Sequence, residues 1–346
     1  MNESSNLEES PKKTSFIGKL LRLFSCLVVL FIISFVISSY LATEYYNNEG
    51  PLTEEKIVII PDGSSLKSAA NKLAKENVLL NPELFTILVR IMEPKKTIKA
   101  GQYKFSPNIS PAQVFKKMEK GDIMSYSLTI PEGLMSSQII QLINEAPHMT
   151  GTIKNTPKEG ELLPETYEYT YNYDRQKLVN RMKNSMQQAL DKAWENRVTG
   201  LPIKSKEDAL ILASIIEKET GVESERERVA AVFINRLKKR MRLQTDPTVI
   251  YAITKGEYVL ERPLSRKDLK MDSPYNTYRN FGLPPGPIAN PGQKAINAAL
   301  NPAITNEYYF VADGTGGHKF STTLKEHNQG VRNWRRISKQ NKQNKD

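Results

Sequence analysis

Only one of the 346 residues is a cysteine, Cys26, and it lies near the start of a long apolar run. The chain therefore cannot form an internal disulfide framework. Everything beyond the run lacks a thiol, which excludes cysteine redox chemistry there and leaves stability to packing. Because the apolar residues follow Cys26 rather than precede it, a lipoprotein cleavage site is not expected either. His318 and His327 stand near Asp313 and Glu326. With neither an H-E-x-x-H pattern nor paired cysteines, no metal site is expected. Asp313-Gly314-Thr315-Gly316-Gly317 is glycine-rich. It has neither the Lys-Ser/Thr of a phosphate loop nor the spacing of a dinucleotide fingerprint, so no nucleotide or other cofactor is expected.

Leu23 to Ala42 carries no charge, and about twenty apolar residues suffice to span a bilayer as a helix. A signal peptide would have a shorter apolar core and a small-x-small end, which Tyr40-Leu41-Ala42 fits poorly. Lys12, Lys13, Lys19 and Arg22 precede the run, and Glu44 and Glu49 follow it. The positive-inside rule then predicts a cytoplasmic N-terminus, with the bulk of the chain outside the cytoplasm; a bacterial envelope suits such a cysteine-free exported region at least as well as a eukaryotic secretory route. The net charge is +11, but the basic residues are dispersed, apart from the tail Arg335 to Lys342. Nucleic acid is thus not expected as a partner, whereas anionic lipid or an anionic wall polymer fits.

With 39% hydrophobic and 25% charged residues, the chain can build two folded modules behind an anchor. The expected fold class is α+β. The expected divisions are a cytoplasmic tail (1–22), a transmembrane helix (23–42), a linker (43–55), a small α/β module (56–150), a mainly helical domain with a few short strands (151–334) and a basic tail (335–346). Ile57-Val58-Ile59-Ile60, Pro61-Asp62-Gly63 and LKSAANKLAKEN read as strand, turn and helix, and Leu128 to Ile143 echoes that order around Pro131-Glu132-Gly133. Ala100 to Phe105 reads as a strand, and Ser110-Pro111 opens a helix over 112–119. Asp174 is the expected cap of a long amphipathic helix that stops by Gly200 and Pro202. Ser205 starts the next helix, which Gly221 stops, and Ser224 starts another running to about Arg240. In MRLQTDPTVIYAI, Asp246 reads as a cap before Pro247.

The second of these helices holds LILASIIEKET, an apolar run that delivers Glu217 to its last turn. At about 100° per residue Glu217 shares a side with Leu210, Ala213 and Ser214, and Glu219 points nearly the opposite way with Leu212 and Ile215. The two carboxyls cannot flank one scissile bond. Apolar neighbours and the negative end of the helix dipole both raise a carboxyl pKa, as a general acid requires. A salt bridge from Glu217 to Arg226 or Arg236 is the rival reading. Downstream, SPYNTYRN and the stiff loop GLPPGPIANPG bring amides and aromatics together, as a sugar-binding groove would.

ASIIEKET, VFINRL, MRLQTDPTVIYA, YNTY, GLPPGPIANPG and YFVADGTGGHKFS occur in that order, and together they resemble the YceG/MltG-like endolytic murein transglycosylases over about Lys56 to Trp334. The resemblance implies a LysM-like module around PDGSS. It also implies a polysaccharide lyase that cuts the MurNAc-β-1,4-GlcNAc bond within nascent peptidoglycan strands and leaves 1,6-anhydroMurNAc ends. It places the catalytic glutamate at Glu217, with Ser214 and Glu219 as structural neighbours. Asn235, Gln244, Asp246, Tyr275 and Asn276 lie in matching motifs and are the expected substrate contacts; peptidoglycan synthases are the expected protein partners. In EGELLPETYEY the chain has Glu161, Leu162 and Leu163 where the family carries an aromatic after Glu-Gly, though Tyr167 and Tyr169 are close by. Two further readings stay open. One is a non-catalytic peptidoglycan-binding or cell-division scaffold with Glu217 as a paired core residue. The other is a hydrolase in which Asp246 activates water.

Overall fold

The computed structural model describes residues 16–343, and its contacts divide the chain into two compact units, one ending at Met124 and the other starting at Ser125. The first begins with α1 (Phe16–Asn47), a helix long and apolar enough to cross a bilayer. The expected span lies inside it, but α1 runs past Ala42 into the segment expected to be a linker. Tyr46 is the reason: its ring is buried in the core of the first unit, and the Tyr45 hydroxyl donates to Asn81 O at 2.8 Å.

That core is built by β1 (Lys56–Ile60), α2 (Leu66–Lys75), α3 (Pro82–Met92), β2 (Gly101–Phe105) and α4 (Pro111–Lys120). β1 and β2 pair antiparallel from Lys56 opposite Phe105 to Ile60 opposite Gly101. The alternation of β2 turns Tyr103 and Phe105 inward, where they stack beneath Phe85, Leu73 and Met118. Ser65, Asn81 and Ser110 cap the three helices with their side chains, and Ser110 with Gln113 forms a capping box ahead of Pro111.

The second unit contains β3 (Ser125–Thr129), α5 (Ser136–Glu145), β4 (Met149–Thr150), β5 (Thr166–Thr170), β6 (Tyr173–Asp174) and α6 (Arg175–Glu195). It continues with α7 (Lys206–Glu219), α8 (Arg226–Lys238), α9 (Asp246–Thr254), α10 (Gln293–Leu300), β7 (Tyr309–Ala312), β8 (His318–Ser321) and α11 (Leu324–Gln343). The unit starts well before residue 150 because β3 pairs antiparallel with β5, Ser125 opposite Thr170. Both expected strand–PxG–helix segments form, with Gly63 and Gly133 each at φ 75°. They belong to different units and do not pair with each other.

α7 lies in the middle of the second unit's core and packs closely on α10. Asp174 and Ser205 cap α6 and α7 as expected. Two other caps differ. Ser224 lies in a 3-10 turn (Glu223–Glu225), and α8 starts at Arg226 without a side-chain cap. Thr245, not Asp246, is the residue before α9, because the Asp246 carboxylate is taken by the Tyr278 hydroxyl at 2.6 Å. The basic tail from Arg335 lies within α11, which runs to Gln343.

Phe105 is fully buried under Tyr103. Phe105→Ala is expected to lower the stability of the first unit by about 3–5 kcal/mol, measured by urea unfolding with far-UV circular dichroism. A loss of under about 1 kcal/mol would mean that the core refills the hole.

Candidate active site

The two carboxyls of the IIEKET segment leave α7 in different directions and meet different surroundings. Glu217 is enclosed, with only 6% of its side chain exposed. Its Oε2 accepts the Gly292 N–H at 2.9 Å at the start of α10, and its Oε1 lies 3.8 Å from Arg226, itself only 7% exposed. Glu132, from the Pro131-Glu132-Gly133 turn, packs against Gly292 so closely that a Cβ there would overlap its carboxyl. Burial, and then the neighbouring Glu132 charge, push the Glu217 pKa up, while the Gly292 N–H and Arg226 pull it down. Nearby, Lys218 donates to Gly133 O at 3.2 Å. Glu217 lines neither of the two large cavities of this unit.

Glu219, the last residue of α7, borders a cavity of about 610 Å³ but is itself almost fully buried, more deeply than Glu217. Gln244, Asp246, Tyr278, Arg236, Tyr309 and His327 are among the residues that line it. Burial is the main reason the Glu219 pKa rises to about 7; the Asp246 charge adds to the rise, and Thr245, His318 and Arg236 oppose it. The Thr245 hydroxyl donates to Glu219 Oε1. Thr245 is itself held by the Thr277 hydroxyl, which accepts its N–H at 3.1 Å, and its carbonyl accepts from Thr248 at 2.8 Å. Such a supporting layer fixes the orientation of the carboxyl. Gln244, at φ 49°, has a left-handed backbone that non-glycine residues rarely adopt; side chain and backbone strain of this kind gather at functional sites.

Cations and aromatics complete the cavity. Arg236 donates to Tyr308 O and Leu243 O, both at 2.6 Å, and so ties β7 to the Gln244 loop. His327 stacks on Tyr309 at 5.2 Å, and its buried Nδ1 has no partner among the described residues. Burial and Arg236 hold its pKa below the usual histidine value. His318 is engaged elsewhere: its ring nitrogen lies 2.7 Å from Glu225. Among the described residues no group of three or more His, Cys, Asp or Glu could hold a metal ion.

The expected site residues therefore separate. Glu219, Gln244 and Asp246 come together. Tyr275 lines a different cavity of about 670 Å³ with Tyr251, Glu159 and Pro287. Asn276 is fully buried and donates to Leu269 O and Met271 O, while its Oδ1 accepts the Tyr278 N–H at 3.0 Å. Asn235 donates to Thr305 O and Glu307 O. The Ser214 hydroxyl donates to Ile211 O and accepts the Ile288 N–H. Arg236, Tyr278, Thr245 and His327 were not among the expected site residues. The first three lie inside or beside segments already recognisable as motifs, whereas His327 carries no local signal.

A helix long and apolar enough to cross a bilayer, a small strand–helix unit and a helical unit with an acidic, hydroxyl-rich cleft define an α+β cleft protein. The chain belongs to the YceG-like family, whose model matches residues 58–333. It is 35% identical over 306 residues to the endolytic murein transglycosylase of Bacillus subtilis, covering 78% of this chain and 82% of that one. It is also 27% identical over 320 residues to the protein of that name from Streptococcus pneumoniae, covering 79% of this chain and 57% of the longer relative. A YceG-like protein of Listeria monocytogenes with a crystal structure is 34% identical, covering 80% of this chain and 99% of that one, at a TM-score of 0.49.

A carboxyl whose folded pKa lies above its unfolded value binds its proton more tightly in the folded state. Its ionisation therefore weakens the fold as pH rises from about 4.5 through 7. Glu219→Gln removes that penalty. The variant is expected to be more stable than the parent at pH 8 by at most roughly 3 kcal/mol, a gain that disappears below about pH 4.5. Thermal unfolding of both proteins across that range checks the sign. A gain that grows toward acid would contradict it.

Proposed function

We propose that this protein is a membrane-anchored endolytic lytic transglycosylase that cuts peptidoglycan glycan strands, and that its general acid is Glu217. One observation carries the assignment: in the last turn of α7 the Glu217 carboxyl is pushed above its ordinary value by burial and by the neighbouring Glu132, and is held in place by the Gly292 N–H. Glu219 is the more deeply buried of the two and accepts from Thr245, as suits a carboxyl that braces the Gln244 loop. The names of the relatives support the reaction class.

The raised pKa of Glu217 favours the protonated form that a general acid needs. Glu217 passes that proton to the glycosidic oxygen as the bond to C1 of MurNAc breaks, and the sugar's own C6 hydroxyl bonds to C1. The carboxylate then takes the C6 proton, and a 1,6-anhydro end results with no water consumed. A single acid suffices, since no second carboxylate has to activate water or form a covalent bond. Gln244 and Asp246, exposed at the cleft, contact sugar hydroxyl or acetamido groups. Asn235 and Asn276 serve the site indirectly, by holding the segments that carry Arg236 and Tyr278.

α1 is the single membrane anchor, with the N-terminus cytoplasmic, and tethering near the site of strand synthesis raises the effective substrate concentration. The strand–helix–helix–strand order of the first unit supports its reading as a LysM-like module. Synthases are the proposed protein partners. Asp246 is exposed at the cleft, so attack by a water that it activates is the second reading.

Mass spectrometry of digested, purified glycan strands tests the proposal. Glu217→Gln is expected to slow formation of anhydro-ended fragments about 10²- to 10⁴-fold while Glu219→Gln retains more activity. The reverse pattern would move the acid to Glu219. Products about 18 Da heavier would instead indicate hydrolysis.

A further inference from the structure

We infer that α3 and its flanking residues form a second membrane contact, an apolar and basic face that rests in the lipid interface beside the span. This rests on reading α1 as the membrane anchor.

The observation is a helix face left exposed among the described residues. α3 buries Phe85, Leu88 and Val89 in the first unit, while Ile87 and Ile91, one turn apart, are 54% and 70% exposed. Leu80, just ahead of the helix, is 69% exposed, and Met92 is also exposed. Ile87 and Ile91 share one face of α3, and with the nearby Leu80 and Met92 they leave large apolar side chains that are costly to expose to water.

The position of that face says what covers it. α1 packs against α3 and α4, and Ala42, the last residue of the expected span, already touches the core of the unit. From Ala42 to the end of α1 is five residues, or about 7 Å of helix, so there is no tether to lift the unit away from the bilayer. Tyr45, in the last turns of α1, holds the entry to α3 through Asn81: its hydroxyl donates to Asn81 O and accepts the Asn81 N–H. Tyr46 sits beside Glu93 just past the other end of α3. Both ends of α3 are thus fixed to the part of α1 that leaves the membrane.

Charge agrees with lipid as the occupant. Arg90 and Lys95 lie on and just beyond α3, and Lys116 and Lys120 are exposed on α4. Lys96 is neutralised by Glu93 and Glu119, and Glu83 is exposed at the start of α3. An apolar stripe edged by lysine and arginine is the pattern of helices that lie in the plane of an anionic bilayer surface.

The single native cysteine makes the test clean. In full-length Cys26→Ser protein, an environment-sensitive fluorophore is placed singly through Ile87→Cys, Ile91→Cys, Leu41→Cys or Lys192→Cys. The labelled proteins are put into nanodiscs of phosphatidylglycerol and phosphatidylethanolamine containing lipid with a nitroxide high on the acyl chain. Labels at 41, 87 and 91 are expected to lose about half of their emission or more, and the label at 192 to change little. If 41 is quenched while 87 and 91 behave like 192, the second contact does not exist, even though the anchor stands. If 41 is not quenched, the anchor reading fails and takes this inference with it. A blue shift at 87 and 91 that depends on protein concentration, without quenching by lipid, would assign the face to a second copy of the chain and overturn the lipid contact.

Discussion

The second unit depends on α7 being held against α10 in its core, because that packing fixes where the helix's two acidic side chains go. Residues two apart on a helix diverge by about 200°. One carboxyl therefore goes to the start of α10, and the other reaches the cleft. Ser214, on the same helix, receives the Ile288 N–H and so fastens the proline-rich loop to α7. A small shift of α7 would disturb the α10 junction, the loop and the cleft together.

Polarity in the cleft is layered. Glu219 is met by Thr245; Thr245 is held by Thr277 and Thr248; and Tyr278, which binds Asp246, is oriented by Asn276. Each layer satisfies buried groups that would otherwise cost stability, and each removes freedom from the layer above. The Glu219 pKa thus rises because water has been replaced by a few fixed dipoles that do not fully compensate its charge.

Much of the architecture was legible in the sequence because it is written locally. Caps at Ser65, Ser110, Asp174 and Ser205, the alternation of β2 and the apolar run of α1 each depend on a few adjacent residues. Long-range choices were not. The pairing of β3 with β5, which moves the unit boundary, needs a partner about forty residues away. Asp246 was misread as a cap because Tyr278, far along the chain, claims its carboxylate. At the site, helical spacing correctly separated Glu217 from Glu219, and the motifs around Gln244 and Asp246 marked the cleft. Periodicity alone could not say what each carboxyl would meet, since that depends on the placement of Gly292 and of the Thr245 loop.

Gly292 carries a further consequence. With no side chain there, Glu132 and Glu217, from two distant segments, can crowd the opening turn of one short helix. Even alanine at that position would evict Glu132 and leave its carboxylate to find water elsewhere. The glycine thus acts as a vacancy shared by two segments, and its backbone sets the distance at which they meet.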